Sequence, residues 1–578
     1  MRYNVYPQHY GVSAIDNVLM NRNIDYAELE DWKEASLSSV QTWKDLDNIE
    51  EFCAKMKNAI DDEKNMLFIV DSDCDGFSSA AIMINFIYSL DRDFCFRHVS
   101  YALHEGKQHG LADIEIPEDA EIIVVMDAGT NDIECQKELA EKGKTVLIGD
   151  HHECDDPCYD YATIVNNQLS SRYRNKNLSG AGIAWQICRA YNDIYNMFGK
   201  IEMDMAALGL AGDMMAYNVL ETRAIIKNGL SRIMNPFLDG MVKKNDYSIR
   251  HKGGIHYQSI AFYVVPYINA VMRVGNQEEK ALLFESMLDM TAHKHILSTK
   301  KGDQNKFVDL IDESLLMVER VKRRQTQIQD DMVEEASEQI EKYNLLDHPV
   351  LIIRFKPGQT AAGMLGVIAN KLQSLYQRPA LVFVDDGEML RGSARNYSKS
   401  DIDDLRGYCR NSGLFSLAEG HASAFGAQMS SGNLAAFIEK TDRELTVSSE
   451  PMYWIDFEWK ANTIDPKDVL EIAMHRDYWG QQMEEPQIVL KEVPIKNVTT
   501  ELLSADKNPT LRITLPNGIQ IIKFKSSMRE KDWFNRMYKF TIVGRCSKNE
   551  YYDSPRAEIV VDDWDVQDIT KENFDWEF

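Results

Sequence analysis

Three short apolar runs, each rich in β-branched residues and each stopping at an aspartate, constrain this chain more than any other feature of it. Met66 to Val70 (M-L-F-I-V) runs into Asp71, Glu121 to Met126 (E-I-I-V-V-M) into Asp127, and Thr145 to Gly149 (T-V-L-I-G) into Asp150. Helical patterns separate them. Strands that are continuously apolar, rather than alternating, are buried on both faces, which predicts a parallel sheet covered by helices on each side. In an open sheet of that kind, ligands bind beyond the carboxyl ends of the strands, which is where the three aspartates fall.

The rest of the 578 residues has room for three or four domains in all. The first 60 residues read as mainly helical. From Lys306 to Tyr343 the apolar period is helical, charge is dense, and Gly and Pro are absent, which predicts one long helix connecting two lobes. A second α/β region follows, with Val350 to Ile353 and Ala380 to Val384 as its clearest strands. Beyond Pro451, Leu511 to Leu515 and Ile519 to Phe524 flank a Pro-Asn-Gly turn and read as a hairpin. Phe540 to Arg545 and Ala557 to Val561 add strands to a small all-β domain. The expected organisation is therefore α/β, with a helical segment at 1–60, a parallel-sheet catalytic domain at 61–305, the connecting helix at 306–343, a second α/β domain at 344–445 and an all-β domain at 446–578.

The balance of 64 basic and 91 acidic residues, a net charge of −27, argues against broad nonspecific attraction to nucleic acid. A local basic channel remains compatible with it, and acidic residues that hold divalent metals count as negative in the sum. Nine cysteines without a spacing framework point to a reducing, cytoplasmic setting. The opening M-R-Y-N-V-Y-P-Q-H-Y lacks the apolar core of a signal peptide, and no run approaches the ~20 apolar residues of a membrane span. A soluble protein without membrane contact is expected.

The first strand end carries Asp71-Ser72-Asp73-Cys74-Asp75-Gly76. Three alternating carboxylates suit hard divalent cations such as Mg²⁺ or Mn²⁺, and Gly76 with Ser78, Ser79, Ala80 and Ala81 lets the chain turn into a helix. The string also resembles the opening of an EF-hand loop, but Ile82 stands where the closing Glu belongs and a strand precedes it. The second strand end carries M-D-A-G-T-N-D with Asp127, and the third carries Asp150-His151-His152. Asp213, in G-L-A-G-D-M-M, is a fourth candidate. Cys154 and Cys158 raise a Cys/His zinc site as an alternative, and a solvated acidic loop is the bland one; carboxylates outnumber thiols, which favours harder ions.

Taken together, D-S-D-C-D-G, M-D-A-G-T, G-D-H-H and G-L-A-G-D resemble the four motifs of the DHH phosphoesterases, in order. Further segments are similar to RecJ-type exonucleases in particular: L-M-N-R-N-I (Leu19 to Ile24), L-S-G-A-G-I-A-W (Leu178 to Trp185), V-P-Y-I-N-A-V-M-R (Val265 to Arg273) and V-K-R-R-Q-T-Q-I-Q (Val321 to Gln329). M-L-G-V-I-A-N-K-L (Met364 to Leu372), R-P-A-L-V-F, R-G-S-A-R-N and E-G-H-A-S-A-F-G resemble the DHH-associated domain, and V-G-R-C-S-K-N-E-Y-Y (Val543 to Tyr552) resembles part of an OB-fold. Three positions depart from the pattern: Glu419 replaces a glycine before Gly420-His421, His104 stands where an arginine is usual, and Val271 replaces a small residue.

The resemblance implies a single-stranded-DNA-specific 5′→3′ exonuclease with two divalent ions, Mn²⁺ or Mg²⁺. It places Asp71, Asp73 and Asp127 on one ion and Asp75, Asp127, His151 and Asp213 on the other, with Asp127 bridging and His152 just outside as a phosphate contact or proton donor. Ser393, Arg395, His421 and Arg273 become the substrate-phosphate contacts, for which a guanidinium fork and a small hydroxyl are suited. The run Lys322-Arg323-Arg324 reads as a solvated face, with DNA contact as its functional alternative. Tyr551, Tyr552 and Phe524 are stacking candidates if the OB-like domain binds a single strand. The implied partners are single-stranded DNA and single-strand-binding, replication or recombination proteins, the chain itself acting as a monomer. The alternatives are a DHH phosphodiesterase acting on short oligonucleotides or cyclic dinucleotides, and a non-catalytic DNA-binding replication scaffold.

Overall fold

The computed structural model describes residues 2–105, 109–112, 114–154, 156–251, 253–300, 302, 304–358, 362–398, 400, 402–446, 452–493, 498–504, 508–533, 538–550 and 555–568. The chain divides into two compact units, Glu34–Asn396 with Asp404–Leu445, and Met1–Lys33 with Tyr397–Asp403 and Thr446–Phe578. These units cut across the five expected segments: 1–60 divides after Lys33, and Tyr397–Asp403 of the second α/β segment falls with Thr446–Phe578.

In the larger unit the expected parallel sheet is present. Its five strands lie in the order Val99–Leu103, Met66–Val70, Ile122–Met126, Thr145–Asp150, Thr163–Asn166, all parallel. Every residue of Met66–Val70 and Ile122–Met126 is buried, as continuous apolar runs require. One face packs Leu67, Ile69, Ile123, Val125, Val146 and Ile148 into a core. The register is what builds the site. Val70 pairs with Met126 and Met126 with Gly149, so Asp71, Asp127 and Asp150 emerge side by side at one sheet end.

The long helix spans Leu310–Lys342. It starts later than the sequence pattern suggests because Phe307–Asp309 pairs with His295–Leu297 in a small hairpin, and Asp309 caps the helix by accepting from the Ile311 amide. Its first half buries Leu310, Met317, Val318 and Val321. Its second half contributes Met332, Ala336 and Ile340 to the core of the second sheet, with Leu351, Ile353 and Ile368. One helix therefore belongs to two cores. That second sheet is mixed, in the order Phe415–His421, Ala424–Ser430, Met389–Arg395, Ala380–Asp385, Leu351–Phe355, and only its last pair is parallel.

The smaller unit holds a seven-stranded mixed sheet, in which the hairpin Thr510–Thr514 and Gln520–Lys523 stands as expected. The helices Pro466–Met474 and Met528–Trp533 accompany it. The N-terminal strand Arg2–Val5 adds to Met452–Ile455, and the Arg22 guanidinium grips the buried Asp456 carboxylate with two bonds of 3.0 Å. Phe524 is exposed here, whereas Tyr551 and Tyr552 lie outside the described residues. No helix among the described residues is long and apolar enough to cross a membrane.

Candidate metal centre

Asp73 caps the helix Cys74–Leu90 by accepting from the Gly76 amide, and so turns the chain sharply back over the sheet end. Asp75, in the first turn of that helix, is held from the opposite side. The Ser179 hydroxyl donates to its Oδ1 at 2.8 Å, and the amides of Gly180 and Ala181 donate at 2.7 and 3.1 Å. These are the free donors at the start of the helix Gly180–Tyr195. The fit needs glycine: a Cβ at Gly209 would stand 2.2 Å from Asp75 Oδ1, and one at Gly180 would stand 2.5 Å from the Asp127 Cβ.

Asp127 leaves its strand with φ of 69°, a left-handed conformation that few residues other than Gly, Asn and Asp adopt. Its amide donates to the Gly149 carbonyl at 2.8 Å. His151 brings Nε2 to 3.2 Å from Asp127 Oδ1 and 3.5 Å from Asp213 Oδ2. Asp213 sits at the carboxyl end of the helix Met203–Gly212, where the helix dipole disfavours a negative charge. Three sets of ligand atoms gather within 4.8 Å: Asp71, Asp73 and Asp127; Asp75, His151 and Asp213; Asp127, His151 and His152. Among the described residues none of these groups contains a cysteine, so the zinc alternative at Cys154 and Cys158 finds no support there.

The electrostatics of the pocket ask for cations. Burial, then the charges of Asp71 and Asp75, push the Asp73 carboxyl up to about 6. Burial and the charges of Asp75 and Asp73 raise Asp213 to about 8 and lift Asp127 well above the carboxylate range. Asp127 Oδ1 is buried with no hydrogen-bond donor aligned on it. Burial pulls His151 down, which keeps its imidazole neutral and able to ligate. Crowded carboxylates, an orphaned buried oxygen and a neutral imidazole are a donor set that fits hard divalent ions.

Two groups sit around this core. Asp150, fully buried, accepts from the Thr130 amide at 3.1 Å and from His152 Nδ1 at 2.8 Å. Burial opposes both charges, but the bond to Asp150 and its charge carry His152 up to about 9, while Asp150 is held below the usual carboxylate range. His109 Nδ1 bonds to Asp71 Oδ1 at 2.7 Å, and the buried His104 lies 4.0 Å from the same oxygen. The sequence marked Asp150 only as part of a cluster and gave Ser179 and His109 no role. The signal for Asp150 was its place at a strand end, and for Ser179 its place before a glycine-opened helix.

The second lobe brings further predicted residues to this side. A Cβ at Gly366 would stand 2.8 Å from an Arg395 guanidinium nitrogen and 3.6 Å from the Ser393 hydroxyl. One turn earlier, a Cβ at Gly363 would stand 3.0 Å from the Arg273 carbonyl oxygen and 3.3 Å from its Cα. Arg273 in turn faces the charge of Asp73. His421 is exposed at the end of its strand and shares a row of the sheet with Ala424 and Arg395.

Residues 65–212 match the DHH family, N-terminal domain, and the chain therefore carries a DHH domain. Over nearly its whole length it is homologous to single-strand-specific exonucleases of the RecJ type. The SPbeta prophage-derived YorK of Bacillus subtilis, named as a single-strand DNA-specific exonuclease, is 29% identical over 573 residues, which cover 96% of each chain. The single-stranded-DNA-specific exonuclease RecJ of Bacillus subtilis is 22% identical over 91% of this chain and 65% of its own. The Mn²⁺ complex of RecJ from Thermus thermophilus shares the fold with a TM-score of 0.70, at 18% identity, over 98% of this chain and 79% of that one. Its Mg²⁺ complex gives 0.65 at 17% identity, over 97% and 78%.

Proposed function

We propose that the protein is a metal-dependent exonuclease that hydrolyses single-stranded DNA from the 5′ end and releases 5′-mononucleotides. The observation that carries this reading is the meeting of three strand-end clusters and Asp213 in one pocket. Homology to YorK and RecJ supports the substrate.

Divalent ions held there supply an activated water and offset the charge that builds on phosphorus. Asp71, Asp73 and Asp127 would hold one and Asp75, His151 and Asp213 the other, two sets in which the ligand atoms lie close together, with Asp127 reaching the second through its own grouping with His151 and His152. Asp150 fixes His152 through Nδ1 and so leaves Nε2 as the nitrogen that meets the substrate phosphate or protonates the leaving oxygen. Ser393 and Arg395 hold the terminal 5′-phosphate, with His421 beside them. The next phosphodiester then lies over the carboxylates, and each cut regenerates a 5′-phosphate. Exposed Phe524, with Lys523 over the ring of Trp564, equips the smaller unit to hold a single strand. The free cysteines support action in a reducing cytoplasm.

The test is to strip the protein with chelator, restore Mn²⁺ or Mg²⁺, and offer 5′-phosphorylated single-stranded DNA, duplex DNA, single-stranded RNA, a dinucleotide and a cyclic dinucleotide. Metal-dependent release of mononucleotides from single-stranded DNA is expected. Turnover of the dinucleotides alone would favour a small-substrate phosphodiesterase, and strand binding without hydrolysis would favour a scaffold.

A further inference from the structure

Alternation along three neighbouring strands of the mixed sheet sorts their side chains by face. Ala394, Ala418, Phe425 and Ala427 are buried on one. On the other, Gly426 of the middle strand pairs with Ser393 on one side and Glu419 on the other, and Ala424 pairs with Arg395 and with His421. Each row therefore runs from a predicted phosphate contact on Met389–Arg395, across a glycine or an alanine, to an exposed polar side chain on Phe415–His421. The middle strand is open. A Cβ at Gly426 would have within 4 Å, among the described residues, only the Glu419 carbonyl oxygen at 3.8 Å and Leu417 Cδ2 at 3.9 Å. The rows form a trough, with Ser393 and Arg395 on one wall, Glu419 and His421 on the other, and Gly426 and Ala424 as the floor.

An exposed carboxylate in a trough suited to a phosphate is a conflict of charge. Among the described residues Glu419 makes no ion pair and no side-chain hydrogen bond, so nothing there neutralises it. Adjacent strands lie about 4.8 Å apart, so a phosphate held by Ser393 and Arg395 over the middle strand lies roughly 5–8 Å from the Glu419 carboxylate. That is within the Debye length of about 8 Å at physiological salt, so the repulsion is felt. The two rows offer one permanent cation, Arg395, and one permanent anion. A single terminal phosphate can be held by Arg395 and Ser393; each further phosphate adds negative charge without adding a cation. We propose that Glu419 is a specificity-determining residue that limits the end site to a single phosphate and disfavours strands ending in a 5′-diphosphate or 5′-triphosphate. This rests on the end-phosphate reading of Ser393 and Arg395 above. A site that meets a fresh 5′-monophosphate after every cut needs to hold no more than one.

The experiment measures binding of single-stranded DNA carrying a 5′-hydroxyl, a 5′-monophosphate or a 5′-triphosphate to the full chain in Ca²⁺, at low and at physiological salt. Wild type is expected to bind the monophosphate strand most tightly. Glu419→Gln keeps the shape of the side chain and removes its charge. Relative to the hydroxyl strand, it should raise affinity about threefold for the monophosphate and roughly tenfold for the triphosphate, as unit charges at that separation in water imply. Both gains should shrink as salt is added, and Glu419→Asp should keep the wild-type order. An unchanged ratio of triphosphate to monophosphate affinity in a folded Glu419→Gln, or an equal gain for all three ends, would overturn the role of Glu419 and leave the end-phosphate reading intact. If wild type does not distinguish the monophosphate from the hydroxyl strand, or if Arg395→Ala keeps that preference, the end-phosphate reading fails and the proposal falls with it.

Discussion

In the parallel sheet of the larger unit every metal-ligating side chain from the sheet lies just past a strand end; in the mixed sheet Ser393 and Arg395 lie within a strand. The strand Met389–Arg395 uses its period of two to place Arg391, Ser393 and Arg395 on one face. Arg391 is neutralised by Asp386, whereas Arg395 has no carboxylate partner among the described residues. The carboxylates are instead locked into one another through helix caps, a left-handed residue and the amides opening a helix. Losing one ligand therefore disturbs a coupled set, whereas losing one cation removes a single contact. The mutational costs of the two regions should differ accordingly.

The largest effect is expected at Asp127. Asp127→Asn suits the left-handed backbone better than alanine does and removes the charge that two ions would share. Hydrolysis should fall by at least about 10³-fold, since a metal acting as Lewis acid is worth several kcal/mol, with unchanged circular dichroism. Near wild-type turnover in a folded variant would break the two-metal assignment. Arg395→Ala should come next, slowing cleavage by roughly 10–150-fold at limiting substrate, the equivalent of one charge-assisted hydrogen bond. Its loss should be much smaller on a 5′-hydroxyl strand. Equal losses on both strands would show that Arg395 does not read the end phosphate.

Asp150→Asn should cost about 10–100-fold, as the loss of a partner that orients a site histidine commonly does. The His152 imidazole should then titrate below its value of about 9, measurable by NMR. An unshifted His152 would remove Asp150 from the site. The smallest effect is on stability. In the metal-free protein Asp73 and Asp213 are raised from 3.8 to about 6 and about 8. The folded state keeps protons that the unfolded chain has already released, so that contribution is present at low pH and is lost as pH rises from about 4 through about 8. Saturating Mn²⁺ offsets the loss, so its increase in Tm should be greater near the top of that window than near its acid end. Equal increments at both ends would argue against ions replacing those protons.

Much of this was legible in the sequence for one physical reason: a parallel sheet with continuous apolar strands has only one end at which ligands gather, so Asp71, Asp127 and His151 were bound to meet. Asp213 was legible through its motif, and the structure adds that it sits against a helix dipole. The long helix was legible from its period, while its start was not, because the hairpin at Phe307–Asp309 depends on a partner strand outside the helical pattern. The N-terminal strand Arg2–Val5 escaped for the same reason, its pairing lying hundreds of residues away at Met452–Ile455. Asp150 and Ser179 were invisible as positioning groups because only geometry shows which atom each one holds. The basic run at 322–324 could not be divided from sequence, since Glu279 and Glu319 approach it from another helix and another turn.

The central claim is that an end-phosphate site and a metal centre act on one strand with a fixed direction. A time course on single-stranded DNA labelled at the 5′ or the 3′ end, with and without a 5′-phosphate, tests it directly in the presence of Mn²⁺. The account predicts that 5′ label is released first, as mononucleotide, and faster from the phosphorylated strand. Release of 3′ label first, or internal cuts that ignore the strand end, would contradict it.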